Sequence, residues 1–262
     1  MIQLSVNVNK VATLRNSRGG NVPSVLEAVD VSVAAGAPGI TVHPRADERH
    51  ITARDTREIA AHLRHGDVRQ RRDMGATRER SAGIEFNIEG DPRPGLIDLV
   101  LETRPDQCTL VPVTPGEITS HAGWSAETSP ERLTAIVKRL QLDGIRVSIF
   151  VDPLEAPIRW AKRVGADRVE LYTEPFAKDF LKGGASARAA FELYAAASTL
   201  AHSLGLGVNA GHDLDLDNLV LFRTLPYLDE VSIGHALVSR ALFHGLRTVV
   251  KEYLDVLDQR QR

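Results

Sequence analysis

The 262 residues contain one cysteine, Cys108, which excludes an intramolecular disulfide and a multi-cysteine metal site. Cys108 lies in the apolar run Cys108-Thr109-Leu110-Val111, where a small buried hydrophobe is the simpler reading than a nucleophile. No apolar run approaches the roughly 18 residues that span a bilayer. The opening residues, Met1-Ile2-Gln3-Leu4-Ser5-Val6-Asn7, alternate and then turn polar, unlike a secretory leader. An excess of one charge is missing too: 32 Lys and Arg face 34 Asp and Glu, a formal net charge of -2. Such a balance gives no global pull toward nucleic acid or a membrane surface, so any anion site must be local. No glycine-rich dinucleotide fingerprint follows the first strand. No HxH or HExxH spacing occurs either; His43, Glu89 and His212 are the nearest approach to a metal set, and no metal is expected. A cytoplasmic protein handling small molecules, with no nucleic-acid or membrane partner, is the expectation.

What is present is a repeat. Short β-rich runs at 2–8, 39–43, 84–88, 108–111, 146–151, 168–172, 207–209 and 230–233 alternate with stretches of helical spacing. The helices are expected near 23–35, 53–63, 96–103, 130–143, 154–164, 187–204 and 217–224, with a last one over 236–257. Glycines 36, 144, 165 and 205 each follow a helix and precede a strand, the position where a left-handed residue ends a helix. Thr128-Ser129-Pro130-Glu131 reads as a hydroxyl cap before a first-turn proline and acid. The strands read as apolar on both faces, as in Val147-Ser148-Ile149-Phe150-Val151, which suits parallel strands covered by helices. Eight such units close a single α/β domain over 1–262, a (β/α)₈ TIM barrel; a doubly wound open sheet is the alternative. One stretch breaks the repeat. Residues 64–83, RHGDVRQRRDMGATRERSAG, read as an Arg-rich, flexible insertion between helix 2 and strand 3, on the face opposite the strand C-termini.

The polar residues gather at strand ends. Strand one ends in Asn7-Val8-Asn9-Lys10, strand two in His43-Pro44-Arg45, strand three in Asn87-Ile88-Glu89-Gly90. Strand six ends in Glu170-Leu171-Tyr172-Thr173-Glu174, strand seven in Asn209-Ala210-Gly211-His212-Asp213, strand eight in Gly234-His235. Singly, each has a plainer explanation: Glu89 as a helix cap, Glu170 with Arg168 as an exposed pair, a histidine as a structural hydrogen bonder. In a barrel, however, these ends ring one cavity, and imidazoles with carboxylates there supply acids and bases near neutral pH. The loops after strands seven and eight, with Gly211 and Gly234, suit a phosphate at a helix N-terminus. A second basic cluster comprises Lys10, Arg15, Arg18, Arg45, Arg49 and His50. Two anion clusters around several acid/base groups suggest the joining of two phosphorylated metabolites.

These motifs together resemble the deoxyxylulose-dependent pyridoxine 5'-phosphate synthase family of vitamin B6 biosynthesis. The likeness rests on Val6-Asn7-Val8 with Ala12-Thr13-Leu14-Arg15-Asn16-Ser17-Arg18, and on Gly39-Ile40-Thr41-Val42-His43-Pro44-Arg45 with Asp47-Glu48-Arg49-His50-Ile51. It continues through Glu85-Phe86-Asn87-Ile88-Glu89-Gly90, Leu110-Val111-Pro112, Val208-Asn209-Ala210-Gly211-His212 and Ile233-Gly234-His235-Ala236. The resemblance implies a (β/α)₈ barrel that condenses 3-amino-2-oxopropyl phosphate with 1-deoxy-D-xylulose 5-phosphate, using no metal or organic cofactor. It implies His43 and Glu89 as proton acceptors, His212 as proton donor and Glu170 as a stabiliser of transition-state charge. Asn7, Arg18, Asp213, Gly234 and His235 match positions that hold the amino ketone phosphate. Asn9, Lys10, Arg45, His50 and Thr119 match those that hold the deoxyxylulose phosphate. A homo-oligomer of dimers, up to an octamer, is implied as well. The chain departs from the family at Asn9-Lys10, where Asp-His is usual, and at Asp213, where glycine is usual. Two rival readings remain at this point: a phosphosugar barrel with Lys10 as Schiff-base nucleophile, and a non-catalytic phosphometabolite-binding protein.

Overall fold

The computed structural model describes residues 1–73, 83–112 and 122–258. Eight parallel strands form one closed barrel in sequence order. The strands are β1 (Gln3–Asn7), β2 (Gly39–Val42), β3 (Glu85–Gly90), β4 (Gln107–Leu110), β5 (Arg146–Val151), β6 (Arg168–Tyr172), β7 (Gly207–Gly211) and β8 (Leu228–Ile233). Closure is made by β8 lying beside β1, with Leu4 opposite Val231 and Val6 opposite Ile233. Around the barrel run α1 (Asn9–Asn16), α2 (Val25–Ala34), α3 (Ala53–Asp73), α4 (Pro94–Thr103), α5 (Glu131–Leu142) and α6 (Glu155–Val164). They are followed by α7 (Glu174–Leu181), α8 (Gly184–Ser203), α9 (Leu216–Phe222), α10 (His235–His244) and α11 (Leu246–Asp258). Among the described residues no helix is long and apolar enough to cross a membrane.

Local chemistry explains the punctuation. Gly36, Gly144, Gly165 and Gly205 all take positive φ (+109°, +76°, +92° and +72°), the conformation that ends a helix at little cost only for glycine. Ser24 accepts from the Glu27 backbone N–H at the start of α2, and Asp215 with Asn218 forms a reciprocal capping box on α9. The expected hydroxyl cap on α5 is absent: Pro130 occupies the cap, and Ser129 bonds the Glu131 carboxylate instead. Gly245, at φ +82°, splits the expected last helix into α10 and α11. The insertion also differs from expectation, because α3 continues through Asp73; residues 74–82 lie outside the described part.

The strands are not apolar on both faces. Residues facing the helices are apolar and buried, for example Leu4, Val6, Ile40, Ile88, Val147, Ile149, Val169 and Val231. The alternate residues, which fill the barrel, are mostly polar, with Phe150 the apolar exception near the mouth. Arg146 donates to Gln107 at 2.9 Å and to Glu85 at 2.5 Å; Arg168 donates to Asn209 at 2.7 Å and lies 3.6 Å from Glu230. Above them, Ser5 meets Thr41 at 2.6 Å and Thr109 donates to Asn87 at 3.2 Å. Partners of this kind repay the desolvation of buried polar groups. The barrel axis is therefore a polar column leading up to the strand C-termini.

Candidate active site

At those C-termini a cavity of about 350 Å³ opens. It is lined by Asn7, Asn9, Lys10, His43, Arg45, His50, Glu89, Glu170, Asp213, Gly234 and His235, with His212 beside Asp213. Twelve of the fourteen site residues expected from sequence thus share one chamber. Arg18 does not: it is exposed beyond the end of α1. Thr119 lies outside the described residues. The wider basic cluster also thins. Arg15 is tied bidentately to Asp55 at 2.5 and 2.9 Å, and Arg49 pairs with Asp47 at 2.5 Å, leaving Lys10, Arg45 and His50 on the wall.

The acid/base groups are arranged around Glu89. Its Oε2 takes the Asn7 amide at 3.4 Å and lies 3.7 Å from His43 Nδ1, while Ser232 Oγ donates to its Oε1 at 3.3 Å. Burial pushes the Glu89 carboxyl up to about 7, the Ser232 bond opposing and the nearby Glu230 adding to the rise. A carboxyl near 7 can both take and return a proton at neutral pH. His43 is held far below the usual imidazole range by burial and then by Arg45 and the neighbouring arginines, so its ring is neutral. Its Nε2 has no hydrogen-bond partner among the described residues. Burial, then Arg45 and Lys10, lowers His50 to about 4; its Nδ1 accepts from the Ile51 N–H at 2.9 Å, which leaves the proton of the neutral ring on Nε2. Burial, and then Glu89, raises the Glu170 carboxyl well above the usual carboxylate range, which favours its protonated form. It is not one of an exposed pair, since it is only 4% exposed and faces the barrel interior.

The two departures from the resembled family have visible consequences. Asn9 Oδ1 accepts the His43 backbone N–H at 2.9 Å, a task for which an amide serves as well as a carboxylate, and Asn7 Oδ1 accepts from the Asn9 N–H at 3.0 Å. His212 and Asp213 have φ of +92° and +58°, a left-handed pair without glycine. Thr173 Oγ1 pins this turn by donating toward the Gly211 and His212 carbonyls at 2.7 and 2.5 Å. The approaches that require glycine are at Gly211, where a Cβ would lie 2.7 Å from Glu170 Oε1, and at Gly234, where it would lie 3.1 Å from the Asn7 side chain. Gly234 precedes α10, whose N-terminal N–H groups open on the cavity beside His235 and suit an anion.

Sequence reasoning missed Glu174, Ser232, Val111 and Phe150, which also line the chamber. Val111 and Phe150 form with Tyr172 an apolar wall. Glu174, His212 and Asp213 offer ligand atoms within 4.8 Å of one another, the one such group of three among the described residues.

A parallel eight-stranded barrel with ionisable groups at successive strand ends around one mouth defines the class: a (β/α)₈-barrel enzyme. Residues 4–259 match the family described as pyridoxal phosphate biosynthesis protein PdxJ, and the chain belongs to that family. It is 49% identical to a pyridoxine 5'-phosphate synthase of Christiangramia forsetii, over 98% of this chain and 100% of that one. It is 48% identical to the synthase of Porphyromonas gingivalis (98% and 99%) and 49% identical to that of Leptospira biflexa (98% and 97%). Among solved structures, 3-hexulose-6-phosphate synthase from Salmonella typhimurium shares the fold, with a TM-score of 0.63 at 12% identity over 98% of both chains.

Proposed function

We propose that this chain is an enzyme that makes pyridoxine 5'-phosphate by condensing 3-amino-2-oxopropyl phosphate with 1-deoxy-D-xylulose 5-phosphate, releasing inorganic phosphate and water. The observation that carries the reading is the grouping of His43, Glu89, Glu170 and His212 in one chamber, with His43 Nδ1 3.7 Å from Glu89 Oε2. Near-full-length identity to enzymes named for this reaction supports it.

In this reading His43 and Glu89 accept protons, His212 returns one to a departing oxygen, and Glu170 donates a hydrogen bond to charge that develops on a substrate oxygen. Imine formation, dehydration, loss of phosphate and ring closure move protons at different atoms, so several groups of different acidity serve better than one. Lys10, Arg45 and His50, with Asn9, hold the deoxyxylulose phosphate. Asn7, Asp213 and the Gly234–His235 helix start hold the amino ketone phosphate, with Arg18 reaching in from outside the chamber and Thr119 as a further contact. Lys10 is only half-buried, which favours a phosphate partner over a Schiff-base nucleophile that needs desolvation. The protein acts in the cytoplasm, as a homo-oligomer built on dimers; the exposed Leu242 and Phe243 at the end of α10 suit burial in an assembly.

Incubating the pure protein with both substrates tests the activity. Pyridoxine phosphate and inorganic phosphate are expected in equal amounts, without added cofactor. Absence of product at saturating substrate would overturn the reading, and a borohydride-trapped adduct on Lys10 would replace it.

A further inference from the structure

The cavity is electrically divided. The cations Lys10 and Arg45 occupy the wall from β1 and β2, whereas Glu174 and Asp213 occupy the corner beyond β6 and β7. Glu174 is the first residue of α7, and its side chain is 14% exposed. Tyr172 donates to its Oε2, and Lys178 grips Oε1 at 2.5 Å, so the carboxylate is fixed in place. Asp213 lies 3.4 Å from His212 Nδ1, and the His212 ring packs edge-on against Tyr172 at 5.2 Å. A second feature points to a ligand. Glu170, buried on β6, lines the same chamber with an Oε2 that has no hydrogen-bond partner among the described residues. Its other oxygen lies directly beneath Gly211, at the start of the His212–Asp213 turn.

Building on the proposed reaction, we infer that this corner seats the amino group of the amino ketone phosphate, with Glu174 and Asp213 binding its ammonium charge. A three-carbon amino ketone phosphate carries opposite charges a few bonds apart. Its phosphate fits the start of α10 at Gly234 and His235, and His235 is close enough to Asp213 to act on its charge, so the two seats adjoin. A phosphate placed in the corner meets two carboxylates, and an ammonium placed on the opposite wall meets Lys10 and Arg45. Lys178 offsets one of the two carboxylates, so the corner keeps a net negative charge, which opposes the phosphate and favours the amine there. Glu174 is then a specificity-determining residue that the strand-end pattern did not reveal.

Titration calorimetry with EDTA present tests this, using 3-amino-2-oxopropyl phosphate and dihydroxyacetone phosphate, which has a hydroxyl in place of the amine. Glu174→Gln and Asp213→Asn are each expected to weaken the amine ligand about tenfold or more, as loss of a charge-assisted bond implies. Binding of the hydroxyl analogue should change less than about twofold, and KM for deoxyxylulose phosphate should hold. Equal weakening of both ligands would show that the carboxylates only shape the His212 turn, and an unchanged amine affinity would remove them from recognition; either outcome overturns the inference. The binding contrast needs no turnover, so failure of the synthase reading registers separately, as absence of product from the wild type.

Discussion

At the scale of single residues, the site depends on carboxyls whose proton affinity burial raises, and Glu89, brought to about 7, is the most consequential. Glu89→Gln preserves shape and the Asn7 and Ser232 neighbours but cannot accept a proton. Steady-state kinetics should show kcat lowered by about a hundredfold to ten-thousandfold, the usual scale of one acid/base group, with phosphate binding retained. A rate near wild type would remove Glu89 from proton transfer. Asp213 makes a different claim. At φ +58° it holds a conformation that costs a non-glycine residue roughly 1 kcal/mol and that glycine adopts freely. Asp213→Gly should therefore raise the melting temperature by a few degrees while impairing use of the amino ketone. A lower melting temperature would mean that the Asp213–His212 contact at 3.4 Å outweighs the backbone strain.

At the scale of elements, the segment at Gly123–Trp124 packs closely over β5. Trp124 donates its backbone N–H to Phe150 and its indole N–H to Leu110, and stacks on Trp160 at 6.0 Å. Gly123 permits this, because a Cβ there would lie 2.3 Å from Val151 Cα and 2.5 Å from Asp152 N, backbone atoms that cannot yield. Gly123→Ala should cost about 1–3 kcal/mol and alter the tryptophan fluorescence; an unchanged spectrum and melting point would show the joint to be looser than this geometry implies. The same scale shows what was readable in advance. All eight strands and the helix ends at Gly36, Gly144, Gly165 and Gly205 were legible, because helix-stopping glycines and short β-rich runs act locally. The helices α1 and α7 were not: Asn9–Asn16 has no side-chain cap and buries only Val11 and Ala12, and Glu174–Leu181 is just eight residues long. The end of α3 was misread as loop because it lacks an apolar stripe, although Arg and Gln favour helix. His43, Glu89, Glu170 and His212 were legible because strand C-termini must share a mouth. Glu174 stood in view at the end of strand six, yet it reaches the chamber from a helix start, where a pattern of strand ends gives no signal.

At the scale of the whole molecule, a chamber of buried carboxyls and imidazoles makes stability depend on pH in two opposing senses. A free Glu89 ionises near 4.5, but folding raises it to about 7. Between those values the folded state keeps a proton that the unfolded chain has lost, so this group's stabilisation is complete below about 4.5 and disappears as pH rises to about 7. The 2.5-unit difference corresponds to at most about 3 kcal/mol. Glu170 and Glu230, also raised by burial, act in the same sense. His50 acts oppositely: lowered from 6.5 to about 4, it refuses a proton that the unfolded chain accepts, so stability falls as pH drops through that range, and His43 adds to this. The wild-type profile is the sum of these slopes, which a single melting curve cannot separate, but comparison with Glu89→Gln can. The glutamine resembles the protonated acid and cannot ionise, so the two proteins should melt together near pH 4.5. By pH 7.5 the variant should melt higher, by up to about 10 °C for a chain of this size. Curves that stay parallel from pH 4.5 to 7.5 would show that Glu89 ionises inside the barrel as it does in water, and the proton-sharing basis of the site would fall with it.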